Sequence, residues 1–106
     1  MGRYRLLRHP QVASDLDDIL ALLANYSGKD TAMRILGEIE TAVRELADLP
    51  HVGTVRDDVY HGLRAIPVAR KGVICFAVDD DRQEVRLVAI GYAGREWARM
   101  VRERGR

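Results

Sequence analysis

The sequence predicts an α+β domain, with a two-helix antiparallel hairpin packed on one face of a small antiparallel β-sheet. Three observations carry that expectation. Three late stretches, Gly62–Ile66, Val73–Val78 and Val85–Ile90, are short and rich in β-branched or apolar residues, as strands are. The charged break Asp79–Glu84 between the last two is a solvated turn, and a link that short joins antiparallel neighbours, since a parallel pair needs a crossover of about a dozen residues. The first half carries two apolar stripes at helical spacing with only a short join between them. Helices that share one face of the sheet bury both stripes.

The elements follow in order. Tyr4-Arg5-Leu6-Leu7-Arg8 is a short strand expected at an edge, and His9-Pro10 ends it, because proline holds its predecessor extended and then suits a first helical turn. Val12, Leu16, Ile19, Leu20, Leu23 and Tyr26 recur by threes and fours and predict a helix. Asp15, Asp17 and Asp18 fall off that stripe near the N-terminal turns, where a solvated acidic face suits the helix dipole. Ser27-Gly28 closes the helix, and Asp30 or Thr31 is placed to cap the next. The second helix presents Met33, Leu36, Ile39, Val43, Leu46 and Ala47, pairs Arg34 with Glu38 across one turn, and stops at Pro50. So short a join forces an antiparallel hairpin.

From His51 to His61 the chain is polar and reads as a loop. Pro67 demotes the first late strand to an edge or bulged position. Arg70-Lys71-Gly72 is a basic turn into the central strand, and Ala98–Glu103 adds a helical turn or two after Trp97.

Composition bounds the class. The 106 residues make a single domain, residues 1–106, with room for one core. With 47% hydrophobic and 31% charged residues, the chain is neither disordered nor a membrane protein, since no apolar run approaches the ~20 residues a bilayer span needs. The start at Met1 offers no secretion signal, so a cytoplasmic location is expected. Cys75 is the only cysteine and, between Ile74 and Phe76, is expected to be a buried, inert thiol. Net charge is +1, yet arginines gather at Arg3, Arg5 and Arg8, at Arg64 and Arg70, and in a tail running from Arg95 to Arg106.

With both helices on one face, the other face holds too many apolar residues. Strict alternation along the last strand puts Val85, Leu87 and Ala89 on one side and Arg86, Val88 and Ile90 on the other. Val88 and Ile90 are therefore candidates for an interface with a second protein chain; the C-terminal turn or a homodimer is the alternative cover. The end of the sheet, Gly91 to Trp97, brings a phenol, a guanidinium and an indole together beside two glycines. Arg64, Tyr92, Arg95 and Trp97 are the candidate target-binding residues.

The ordered set Asp15-Leu16 to Ile19, Leu46 to Pro50, Gly62-Leu63-Arg64 and Tyr92-Ala93-Gly94-Arg95-Glu96 resembles the ParE/RelE superfamily of bacterial toxins. The resemblance spans Tyr4 to Trp97, with Tyr92 standing where ParE-like members often have histidine and Arg95-Glu96 where they have an Arg-Asp pair. It implies the toxin of a type II toxin–antitoxin module, neutralised by a cognate ParD-like antitoxin, with no cofactor and no metal. A ParE-like toxin would poison DNA gyrase. A RelE-like one would cleave messenger RNA on the ribosome, with Arg64, Arg86 and Arg95 as cations and Tyr92 or His61 as proton carriers. A binding module without toxicity is a third expectation. Having only two lysines, Lys29 and Lys71, and a long second helix favours the ParE side.

Overall fold

The computed structural model describes residues 3–105. Its order is β1 (Arg5–Arg8), α1 (Val12–Ser27), α2 (Lys29–Glu45), β2 (Thr54–Val55), β3 (Leu63–Val68), β4 (Gly72–Asp79), β5 (Glu84–Tyr92) and α3 (Trp97–Arg104). The five strands form one sheet in the order β1-β5-β4-β3-β2. All neighbours are antiparallel except β1, which runs parallel to β5 with Leu6 opposite Val85. The β1–β5 link passes through the whole intervening chain, so it has ample length for a crossover. β1 is an edge strand, as its position before His9-Pro10 suggests. Pro67 sits beyond the two residues of β2, where its missing N–H costs no sheet hydrogen bond.

Gly28 turns α1 back into α2 at φ +87°, a left-handed geometry that glycine adopts without strain. No side chain caps α2, so the predicted caps Asp30 and Thr31 are not used as such. The hairpin buries Val12, Ile19, Leu23, Ala32, Ile39, Val43 and Leu46 against Ile74, Phe76, Val85, Leu87, Ile90 and Tyr92. Tyr26 and Met33, assigned to the stripes, are 82% and 55% exposed; both flank the Gly28 turn at the tip of the hairpin. The Arg34–Glu38 pair forms at 2.8 Å.

Three sequence expectations need correction. Asp15 is not on a solvated face: it is 1% exposed and lies on the buried side of α1 with Val12 and Ile19. The alternation along β5 also breaks. Phe76 stands opposite Leu87 but Cys75 opposite Ala89, so Val88 is the extra residue of a β-bulge. Val85, Leu87, Ile90 and Tyr92 consequently all face the hairpin. Val88 and Ala89 face the other side, where they join Val59, Leu63, Cys75, Met100 and Val101 in a second core. That second core lies under α3, whose eight residues make the two turns expected, but it covers the face opposite the hairpin, so helices stand on both faces of the sheet and not on one. Cys75 is fully buried, and burial pushes its thiol up to about 12.

The bulge leaves backbone polar groups on the side of β5 where β1 has already ended, and two side chains take the place of the missing strand. Asp15 accepts the Ile90 amide at 3.0 Å, and Arg104 donates to the Val88 carbonyl at 3.0 Å. Asp15 and Arg104 meet in a two-pronged ion pair at 2.6 Å for each prong. Among the described residues no helix is long and apolar enough to cross a membrane. Arg106, the end of the basic tail, lies outside the described residues.

Candidate functional site

At the C-terminal end of β5 the chain turns sharply into α3. Ala93 and Gly94 are both left-handed, at φ 55° and 83°, and the Trp97 amide closes the turn on the Arg95 carbonyl at 2.8 Å. Trp97 then packs across Gly91. A Cβ on Gly91 would lie 3.0 Å from the Trp97 Cβ, so glycine is what lets the indole approach the strand.

This turn walls a cleft of about 550 Å³ that Tyr92, Arg95 and Trp97 line together with Arg56 and Lys71. Arg56 stacks its guanidinium over the Trp97 ring at 4.8 Å and is held there by Asp58 through bonds of 2.9 and 2.8 Å. The Asp58 carboxylate raises the Arg56 pKa and has its own lowered, the reciprocal effect of one contact. Arg95 pairs with Asp18 of α1 at 3.0 Å. Tyr92 contributes a ring that is 6% exposed, for it is also part of the core beneath the hairpin.

Arg64 is elsewhere. The register sets Tyr92 beside Gly72 and Val68, whereas Arg64 lies near the opposite end of β3, across from Phe76. Its guanidinium donates to the Val52 carbonyl at 3.2 Å. The four target-binding candidates are therefore three and one. His61, also at that far end, is 94% exposed on its side chain, 3.8 Å from Asp57. Arg86 lies 3.7 Å from Glu84 and 3.9 Å from Asp79.

The far end has a groove of its own, about 500 Å³, floored by Ala77, Val78 and Val88 and flanked by Tyr60, His61 and Arg86. Val88 is 4% exposed there, while Ile90 is 1% exposed and points into the hairpin core. The two residues proposed as a joint interface thus lie on opposite faces, separated by the bulge. Beside the groove, Asp80 accepts from the Tyr4 hydroxyl and meets His51 Nε2, each at 2.7 Å, and the tyrosine contact is the main cause of its lowered pKa.

The sequence does not mark Arg56 and Lys71 as cleft residues, nor Asp18 as the partner of Arg95. Arg56 and Asp58 lie in a polar stretch without periodicity, and no local pattern tells that an arginine will meet an indole 41 positions later.

The β-α-α-β order with a late antiparallel meander is an architecture shared with solved toxin structures. The chain matches a structure described as the chromosomal ParDE toxin–antitoxin system of P. aeruginosa with a TM-score of 0.73, at 22% identity, covering 86% of this chain and 97% of that one. A mutant of the E. coli toxin RelE in its free state matches with a TM-score of 0.63 at 11% identity, covering 93% and 92%. The RelBE2 toxin–antitoxin complex of Mycobacterium tuberculosis matches with a TM-score of 0.58 at 13% identity, covering 86% and 99%. No curated protein sequence matches significantly. The family model for the ParE toxin of the parDE type II toxin–antitoxin system matches residues 6–97, and the chain belongs to that family.

Proposed function

We propose that this ParE-family chain is the toxin of a type II module whose target is DNA gyrase, and that a cognate ParD-like antitoxin neutralises it. The observation that supports gyrase over the ribosome is the make-up of the cleft. Cutting RNA through its 2′-hydroxyl needs a base and an acid within hydrogen-bond reach of the reacting atoms. The cleft offers three cations, but the histidine and arginine that would complete such a set, His61 and Arg64, belong to the other end of the sheet. Tyr92 is largely built into the core. Arginines beside an indole are, in contrast, the residue types that anchor protein interfaces. Arg56, Lys71, Arg95 and Trp97 are the contact residues in this reading, with Tyr92 as their floor.

The antitoxin is assigned to the far groove, on the apolar floor that includes Val88. Ile90 has no part in that interface, because the hairpin covers it. The RelE-like reading, a ribosome-dependent ribonuclease, is favoured only by the cations of the cleft. Purified protein assayed for inhibition of gyrase supercoiling, beside a translation reaction with transcript mapping, tests the choice. Inhibited supercoiling with intact transcripts is the expected result. Transcript cleavage that requires ribosomes overturns it. Expression without any antitoxin that leaves growth unaffected points to a binding module on the same fold.

A further inference from the structure

The tight β3–β4 connection uses the left-handed geometry that suits a hairpin turn, but builds it without glycine. Ala69 and Arg70 are both left-handed, at φ 49° and 66°, where a residue with a Cβ is disfavoured by about 1–2 kcal/mol. The turn is pinned: the Lys71 amide closes on the Ala69 carbonyl at 2.7 Å, and the Ala93 amide donates to the Lys71 carbonyl at 3.0 Å. Ala93 is itself left-handed, so three of the four described non-glycine residues with positive φ converge at this one end of the sheet. Strain retained against such a cost concentrates where a surface has work to do.

The turn presents Arg70 and Lys71, both exposed, and neither side chain enters an ion pair or hydrogen bond among the described residues. The neighbouring cations are satisfied: Arg34 by Glu38, Arg56 by Asp58 and Arg95 by Asp18. Lys71 lines the Trp97 cleft and also a second cleft of about 300 Å³, which Arg70 shares with Thr31, Arg34 and Glu38. Two free cations thus stand on the ridge between two clefts, at a turn whose backbone is fixed.

We propose that the Ala69–Lys71 turn is an anchor for an extended acidic polypeptide segment, whose carboxylates pair with Arg70 and Lys71. The chemistry favours a peptide over a nucleic acid. A single-stranded nucleic acid needs open aromatic faces for its bases. Here one face of Trp97 is taken by Arg56 and Tyr92 is buried. Carboxylates are also interleaved among the cations, Glu96 in the first cleft and Glu38 in the second, which repel a continuous phosphate backbone but tolerate spaced side-chain acids. The inference goes beyond the toxin reading and holds whichever cellular target is correct.

The test is direct binding to the full chain by fluorescence anisotropy, with three labelled probes. These are a twelve-residue peptide of alternating glutamate and alanine, its glutamine counterpart, and a single-stranded oligonucleotide of equal charge. The glutamate peptide is expected to bind, and Arg70→Ala with Lys71→Ala to weaken it by about tenfold, with Arg102→Ala, an exposed cation on α3, leaving it unchanged. Arg70→Gly should raise the melting temperature by about 5 °C while weakening the peptide, separating fold from binding. Tighter binding of the oligonucleotide, an equal loss in Arg102→Ala, or no loss in the double variant overturns the proposal.

Discussion

Asp15 and Arg104, 89 positions apart, close on each other through two bonds of 2.6 Å and together complete the open side of β5. Their side chains are 2% and 9% exposed. A buried pair usually costs nearly as much in desolvation as it returns, and apolar replacement of both partners is often neutral. This pair differs because it also satisfies the Ile90 amide and the Val88 carbonyl that the bulge leaves free. Arg104→Ala should cost about 3 kcal/mol in urea unfolding, for it strands a buried carboxylate. Asp15→Leu with Arg104→Met should remain about 2 kcal/mol or more below the parent, since two buried backbone groups lose their partners. Full recovery in the double variant would show that the backbone bonds contribute nothing.

A second ion pair sets part of the acid sensitivity. Arg8 of β1 grips Glu40 of α2 through bonds of 2.7 and 3.2 Å. The contact lowers the Glu40 pKa from its ordinary value of 4.5 and raises that of Arg8. Because the folded value is depressed, the stabilisation is present above pH 4.5 and is lost as pH falls through the folded value. Both side chains are more than a third exposed, so the effect is small. The urea midpoint should fall on acidification below that point, and Glu40→Gln should flatten this part of the profile. An unchanged slope in Glu40→Gln assigns the acid sensitivity to other carboxylates.

The element order was legible because periodicity and short links act locally: the hairpin of α1 and α2 and the meander of β3 to β5 follow from spacing alone. The bulge was not legible. Leu87, Val88, Ala89 and Ile90 are all apolar, so a shift of one residue leaves no polar side chain on the wrong face to betray it. Asp15 was misread for a related reason, since its partner arrives from the last helix. Grouping Arg64 with Tyr92 at one end of the sheet fails because antiparallel pairing sends the start of β3 away from the end of β5. Tyr92, Arg95 and Trp97 were read correctly as neighbours because they are neighbours in sequence.

The approach of Trp97 to Gly91 gives a handle on the cleft that leaves its charges intact. Gly91→Ala inserts a methyl 3.0 Å from the Trp97 Cβ and should displace the start of α3. Overpacking of this kind costs about 1–3 kcal/mol. The melting temperature should fall and target inhibition should weaken together. Trp97→Ala also removes the Arg56 stacking, worth about 0.5–1 kcal/mol at such a site, and should weaken inhibition more than its effect on stability explains. Unaltered inhibition by folded Trp97→Ala removes this cleft from the target interface.

Tyr92→Phe divides the two target readings. The hydroxyl is lost while the ring keeps its place against the hairpin core, so the fold should be unaffected. A docking role for the cleft uses the ring as a floor, and gyrase inhibition should then change by less than about threefold, as expected when no buried partner is stranded. A general-acid role uses the proton, and its removal should slow transcript cleavage by about 10²-fold or more. Melting temperature measured alongside separates either outcome from unfolding. Parent-like gyrase inhibition by Tyr92→Phe supports the proposed function, and ribosome-dependent cleavage that collapses in the same variant replaces it with the ribonuclease reading.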